Sequence, residues 1–597
     1  MGNSKRVDVV FFLLVVAAGL YVFWDAGRRF SETDEFWLAG VVTEMLAKGE
    51  ILSPYVVPIP DPGKPPLFLW LSMPLVAMLD NLQVAMRLIP GACFLGVLGV
   101  LYQIAKRFRS ASTGLLAALI FLLCYDHLYN HGYKQGVMDG LVNFQMALVF
   151  WLNTRLKDHP THLRWIGVLL GLTILTKTVF VVLPLSFTLG NLWLLPKTCR
   201  PTRQVLIKSL LLAGAVSLPW FLAMCHVHGP GFLEELFVMH VWNRVRWDPV
   251  ILTLGQAFGR TEPLYVLQHY LTYGQPWSLI VWLAVLALWR NRHSLGEETR
   301  RTLLIAAGWF LGVLGIFLLS RGRWSWYISS LYVPAALLLA WWLSEVMEGR
   351  QPLASPRLLA MTVAACVVQK VLYGFNPHLM GSSSVPLDPS LYQQLAIAGV
   401  LLVVFRHRET GLAPVPWRSG GRGHLVRRLA VLLFLIAVGL HGVAALLTRQ
   451  PVDFPSVFLQ LSSGSHAASA WGFQEAQFLG LALTVPLAFW LLWATDPKTI
   501  GKACTSALTL LAIGYLVAPL TFAAQDNKRP DIRWMDSIIL AGVFQDQGTV
   551  VLRPVVYASY VRLAQAYSGS FELAYDPMAK TLSIRKRRNV LSEDEMR

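Results

Sequence analysis

Two adjacent carboxylates, Asp34 and Glu35, lie in a polar segment just after the first membrane-length apolar run, and Lys64 follows further on, directly before Pro65 and Pro66. A carboxylate at a water–lipid boundary can take a proton from an attacking hydroxyl or orient an acceptor. The proline pair forces extended backbone and pins the direction of the lysine before it. Asp139 heads a later apolar run, behind the polar string His131-Gly132-Tyr133-Lys134. Lys177 falls between two short apolar stretches, in Leu175-Thr176-Lys177-Thr178. An ionisable residue there is a functional hypothesis by default, although a turn at the surface relieves most of its cost. Ser320-Arg321-Gly322-Arg323-Trp324, with Tyr327 close behind, sets two guanidinium groups beside an aromatic. Arginine binds phosphate as a fork, and an aromatic wall suits a sugar ring. His240, Arg244 and Arg246 form a further cluster. The chemistry open to this set is proton handling by Asp34, Glu35 or Asp139, next to cations gripping an anionic headgroup.

Each of these residues also has a structural reading. Acidic residues in a first helical turn stabilise the helix dipole by ~0.3–1 kcal/mol, which covers Asp34, Glu35 and Asp139. A lone cation at a helix end can be a snorkelling anchor. Cys225-His226-Val227-His228 would need ligands from elsewhere to hold a metal, so no metal site is assigned. No cofactor motif is present, and a divalent metal held near Asp34 stays open.

The elements that position these residues follow from composition. The chain has 597 residues, 55% hydrophobic and only 14% charged. Soluble domains carry roughly 25% charged residues, so lipid must solvate most of this chain. Apolar runs of about 20 residues recur along it, which predicts an all-α polytopic membrane protein of about 13–15 transmembrane helices. The N-terminal run over 7–24 reads as a retained first helix rather than a cleaved leader. Two short runs, 165–176 and 179–195, read as separate spans with Lys177 at the bend between them. Further spans are expected near 358–374, 391–405, 429–447, 475–493 and 504–522.

Lys and Arg concentrate in connections 106–109, 197–208, 290–301 and 406–428. The positive-inside rule makes those connections cytoplasmic, with the N-terminus in and the C-terminus out. The net charge of +17 is thereby explained without nucleic acid. Lys64, Lys134, Lys177, Arg244, Arg321 and Arg323 fall on the outer side, at the depth where lipid phosphates sit.

The first outer loop, 25–83, contains an amphipathic stretch from Asp34 to Lys48, predicted to lie along the interface. Past residue 523 the chain becomes charged. A helix over 532–543, a strand over 549–559 and a hairpin over 571–585 turning at Asp576-Pro577 predict a small extracytoplasmic α/β domain, residues 524–597. The organisation is therefore a helical membrane region followed by that terminal domain.

Seven strings in order carry a resemblance. They are Asp34-Glu35; Lys64-Pro65-Pro66-Leu67 with Trp70 and Arg87; Met138-Asp139; Leu175-Thr176-Lys177; Pro219-Trp220-Phe221; Gly231-Phe232 with His240 and Arg244; and Leu319-Ser320-Arg321-Gly322 through Tyr327 to Pro334. Over residues 5–345 the chain resembles bacterial lipid-carrier-dependent glycosyltransferases of the C-type (GT-C) fold. These are the aminoarabinose transferases and, more distantly, the protein O-mannosyltransferases. The resemblance implies an enzyme of the bacterial cytoplasmic membrane that moves a sugar from a polyprenyl-phosphate donor to a lipid or protein acceptor on the outer face, with inversion. It maps Asp34 to the catalytic carboxylate, with Asp139 in the same cavity. Lys64, Lys177 and Arg321 map near the carrier phosphate. Arg323 and Tyr327 are assigned beside them as donor-binding residues, and Lys134, His240 and Arg244 as lining the substrate cavity. The chain departs from the family at Thr178, where a glycine is usual, and past residue 345, where no string matches. The resemblance thereby divides the membrane region into a catalytic domain over 1–345 and additional helices over 346–523.

A lipid or solute transporter is the competing reading. It predicts paired ionisable residues near mid-bilayer and repeat symmetry, whereas this chain concentrates charge at outer helix ends. A scaffold recruiting a partner through its C-terminal domain is a third, and predicts that the outer carboxylates are dispensable.

Overall fold

A computed structural model of the chain describes residues 2–24, 26–27, 30, 33–56, 59–60, 64–79, 81–124, 126–234, 236–237, 267, 269–270, 277–319, 325–348, 550–552, 571–576 and 581–586. The spans expected beyond 348 and the helix expected over 532–543 lie outside the described residues. Among those described, six apolar helical stretches are long enough to cross a membrane: Ser4–Phe23, Leu82–Phe108, Pro160–Leu194, Arg203–His228, Glu297–Leu318 and Trp326–Val346. The protein is thus an integral membrane protein. It divides into two compact units, residues 1–274, 284–340 and 528–597 in one, 275–283 and 341–527 in the other. The site described below lies entirely within the first.

Helices α1 (Gly2–Phe23), α2 (Thr33–Lys48), α3 (Leu67–Met78), α4 (Leu82–Phe108), α5 (Ala111–Leu122), α6 (Asp126–Tyr129) and α7 (Asp139–Arg155) come first. They are followed by α8 (Leu163–Lys177), α9 (Val182–Leu194), α10 (Arg203–His228), α11 (Gly231–Glu234), α12 (Trp277–Asn291), α13 (Glu297–Leu319) and α14 (Tyr332–Met347). A 3-10 segment, Ser325–Leu331, leads into α14. The span expected over 111–127 is shorter, because Asp126 and His127 start the separate turn α6.

Side-chain bonds give the direction of each central helix. Lys177 meets Asp139 at 2.8 Å, Gln145 donates to Thr176 at 2.9 Å, and Asn153 donates to Thr188 and receives from Asn191, both at 2.9 Å. Helix α8 therefore runs antiparallel to α7, and α9 parallel to it. The apolar stretch Pro160–Leu194 is two passes joined by a bend, as the short runs predicted. Polar links of this kind hold membrane helices together where no hydrophobic driving force is available. Lys177 itself makes the bend, with φ −158° and ψ 85°. Thr178 is helical, at φ −39° and ψ −51°, so the position needs no glycine.

Helix α10 packs along α8 through Gly167-Val168-Leu169-Leu170-Gly171, a GxxxG stripe that lets two backbones approach closely. A methyl at Gly167 would sit 2.1 Å from the Ser209 carbonyl oxygen. Gly167→Ala is therefore expected to cost about 1–3 kcal/mol by forced separation of the helices, read as a lower unfolding temperature in detergent.

The end of the bundle away from Lys177 is tied by charge. Arg107 pairs with both Asp158 and Glu298, and Lys157 pairs with Glu297 at 3.0 Å. The Arg107 guanidinium holds the Asp158 carboxyl below the usual carboxylate range. Arg107, Glu297 and Glu298 belong to the connections 106–109 and 290–301, which the positive-inside rule predicts to be cytoplasmic.

Helix α2 is buried more deeply than an interfacial helix. Leu38, Ala39, Val41, Val42 and Met45 are all at most 2% exposed. Tyr55–Val56 (β1) and Ile59–Pro60 (β2) pair as a short hairpin. Near the C-terminus, Val550–Leu552 (β3), Phe571–Asp576 (β4) and Thr581–Lys586 (β5) form an antiparallel sheet in the order β3-β5-β4. Its β4–β5 pairing closes at Asp576 and Thr581, the hairpin read from Asp576-Pro577.

Candidate active site

The first turn of α2 sends its two carboxylates in different directions. Glu35 is fully buried, and Arg87 of α4 grips it bidentately at 2.9 and 3.1 Å. The Gly136 N–H donates to the same carboxylate at 2.6 Å. A third guanidinium nitrogen donates to the Ala26 carbonyl at 2.9 Å. Fork-to-fork geometry with extra backbone bonds is what a buried ion pair needs to offset desolvation. Glu35, expected among the catalytic carboxylates, is instead placed to lock α2 to α4 and to the 130–138 turn. Gly136 is required there, since a methyl would come 2.8 Å from the Met86 Cβ.

Asp34 points the other way, its side chain 41% exposed. His131 stands behind it, with Nδ1 3.8 Å from the Asp34 carboxylate. Among the described residues, His131 is the non-glycine residue with positive φ, 50°, a conformation that costs an L residue about 1–3 kcal/mol. The turn is held around it. Tyr133 and Lys134 N–H groups bond the His127 and Leu128 carbonyls at 3.1 and 3.0 Å. Asp126, only 4% exposed, anchors the preceding helix α6. It accepts from Tyr332 Oη at 3.0 Å and Asn130 Nδ2 at 3.1 Å, and lies 3.0 Å from His269 Nε2.

An aromatic bridge leads from this carboxylate to the second charged pair. The His131 ring stacks on Trp326, centroids 3.8 Å apart and planes within 9°. Trp326 contacts Tyr327 at 6.2 Å. The Lys177 ammonium lies 5.2 Å from the Tyr327 ring and 4.5 Å from Phe180, while its nitrogen pairs with Asp139. Lys177 keeps 21% of its side chain exposed and Asp139 8%. Lys64 lies over Trp37, one turn along α2 from Asp34, at 4.8 Å.

Of the predicted residues, Asp34, Asp139, Lys177 and Tyr327 are thus joined through direct contacts and this aromatic run, and Lys64 stands on Trp37, one helical turn from Asp34. Lys134 turns inward: at 3% exposure its ammonium donates to the Tyr21 carbonyl at 3.1 Å and lies 4.1 Å over that ring. The fold of the 130–138 turn points it at α1 rather than into a cavity. His240, Arg244, Arg321 and Arg323 lie outside the described residues. Among the described residues no group of three or more His, Cys, Asp or Glu is arranged to hold a metal ion. His131, Trp326, Asp126 and the clamp role of Arg87 escaped the sequence reading, although His131 and Arg87 sit inside strings it singled out.

The dolichyl-phosphate-mannose-protein mannosyltransferase family matches residues 63–225. A Pectobacterium carotovorum protein named undecaprenyl phosphate-alpha-4-amino-4-deoxy-L-arabinose arabinosyl transferase is 25% identical, over 58% of this chain and 60% of its own. A Pseudomonas fluorescens protein of the same name is 27% identical, over 62% of this chain and 63% of its own. The chain therefore spans less than two thirds of these relatives. The crystal structure of ArnT from Cupriavidus metallidurans bound to undecaprenyl phosphate superposes with a TM-score of 0.54 and 15% identity, covering 98% of this chain and 99% of that one. The chain has the fold of that structure, the GT-C fold.

Four of the seven strings meet in space. Leu67 and Trp70, Leu175, Trp220 and Phe221, and Phe232 share one apolar cluster with Met224 and Leu236. Trp70 and Trp220 donate their indole N–H groups to the Ile51 and Leu52 carbonyls at 2.6 and 3.1 Å. Pro65 and Pro66 are buried beside them. In this GT-C chain the strings flanking Lys64 and Lys177 are therefore packing residues. They hold the first loop against α8 and α10, and so fix where the two ammonium groups stand.

Proposed function

We propose that the chain is a glycosyltransferase moving a hexosyl or pentosyl unit from a polyprenyl-phosphate carrier to an acceptor at the outer face of a bacterial cytoplasmic membrane. The acceptor is lipid A, another envelope lipid or glycan, or a protein. The N-terminus is cytoplasmic and the C-terminus outside, since the charged connections gather opposite the Asp34 end. The observation that carries the reading is the aromatic bridge from Asp34 through His131, Trp326 and Tyr327 to Lys177. It joins a water-facing carboxylate to a lysine at one mouth of the bundle.

In this reading the acceptor oxygen attacks the anomeric carbon from the face opposite the carrier. The carbon–oxygen bond to phosphate breaks, its electron pair leaves with the phosphate, and the configuration inverts. Lys177 and Lys64, with Arg321 and Arg323 from the string before Trp326, stabilise that developing charge. Asp139 holds the Lys177 ammonium in place. Asp34 takes the proton when the acceptor is a hydroxyl, and orients the acceptor when it is an ionised phosphate. His240 and Arg244 are also assigned to the substrate in this reading, and Tyr327 offers its face to the sugar.

The direct test is mass spectrometry of envelope lipids and glycans from cells with and without the gene, followed by transfer with the purified chain. A glycan missing only without the gene is expected, and identical profiles would remove the proposal. Lys64→Ala and Lys177→Ala are expected to raise KM for the polyprenyl-phosphate donor about tenfold or more, with a smaller change for the acceptor. Equal weakening of both would detach these lysines from the carrier phosphate.

A further inference from the structure

We infer that His131 is a positioning residue for Asp34, holding the carboxylate in the orientation from which it serves the acceptor. The inference rests on the transferase reading above and adds a residue to it. Three observations carry it. The His131 side chain is 4% exposed while that of Asp34 is 41% exposed, so the imidazole stands behind the carboxylate and not in the acceptor's path. Nδ1 is 3.8 Å from an Asp34 oxygen, within ion-pair reach and open to tightening once substrate fills the mouth. The ring itself is fixed twice over, by a left-handed backbone and by face-to-face stacking on Trp326.

A histidine kept in a left-handed turn only to fill space would be an odd choice, since glycine and asparagine adopt that backbone more readily. The ring supplies a flat surface for Trp326, which both lack, and a nitrogen facing Asp34, which glycine lacks. Trp326 in turn neighbours Tyr327, which touches Lys177. The stack thereby lies between the Asp34 pair and the segment that meets the phosphate-side lysine, while the nitrogen is what reaches the carboxylate.

The test compares two substitutions in the full chain in nanodiscs. His131→Phe keeps a stacking ring and removes the nitrogen. His131→Asn gives up the stack but keeps a donor near the Nδ1 position and suits the backbone. His131→Phe is expected to lower kcat about tenfold with donor KM unchanged, and His131→Asn to stay within about threefold of the parent. Parent-like turnover in His131→Phe, equal losses in both variants, or a loss carried by KM would each overturn the inference. The pair is also read without turnover. The histidine ¹⁵N resonance that disappears in His131→Phe should shift in Asp34→Asn, and an unmoved resonance overturns the pairing. If the unaltered chain transfers no sugar from any polyprenyl-phosphate donor, the proposed function fails, and the resonance alone then decides the pair.

Discussion

Asp34→Asn is expected to lower sugar transfer by about 10²–10⁴-fold, the range for loss of a positioned general base, while leaving abundance and unfolding temperature unchanged. The asymmetry follows from placement. The side chain is 41% exposed at the start of α2, so an amide of the same shape removes little packing. What it removes is the negative charge facing the acceptor. The measurement is single-turnover transfer with a polyprenyl-phosphate sugar, normalised to folded protein. Near-parental rates from Asp34→Asn would take the base assignment away and return Asp34 to the role of a helix-dipole residue.

Its neighbour should behave in the opposite way. Arg87→Met takes the bidentate guanidinium from the buried Glu35 carboxylate, and breaking a buried ion pair in this way typically costs about 3–5 kcal/mol. Folded protein and activity should fall together, with a lower melting temperature in detergent. The double variant Glu35→Leu with Arg87→Met removes both charges and is expected to recover part of that loss. Recovery stays incomplete, because the Gly136 N–H and the Ala26 carbonyl lose their partners, at about 1–3 kcal/mol for each group left unmet. An Arg87→Met chain as stable as the parent would show that the clamp contributes nothing net. Together the two experiments separate adjacent residues: Asp34 should affect rate alone and Glu35 stability first.

That separation marks where sequence reasoning stopped. Hydropathy placed the helices because membrane-length apolar runs are a local signal. It even divided Pro160–Leu194 correctly, since Lys177 cannot sit comfortably inside one long run. The candidates Asp139 and Lys177 meet because both cap helix ends on the same side, which alternating passes already required. The two carboxylates of Asp34-Glu35 looked alike, by contrast, because the choice between them is made by Arg87 and Gly136, far along the chain. Lys134 read as an outer cation for a similar reason: nothing adjacent announces that it turns toward Tyr21. The His131–Trp326 stack joins segments far apart in the chain, with a backbone conformation that no spacing rule signals. The Gly167-to-Gly171 spacing is legible as a close-packing stripe, but nothing in it names Ser209 and Ala213 of α10 as the backbone it meets.

The long sequence separation within the aromatic bridge has a consequence for how the protein is made. Asp34, Glu35, Arg87, His131, Asp139 and Lys177 leave the ribosome and enter the bilayer while Trp326 and Tyr327 are still unsynthesised. Until the later segment arrives, the nascent chain holds an open half-site with nothing stacked on His131. A chain stopped before residue 325 would therefore insert its early helices and still lack the Trp326 face, and under the proposed function it would transfer no sugar until translation is well advanced.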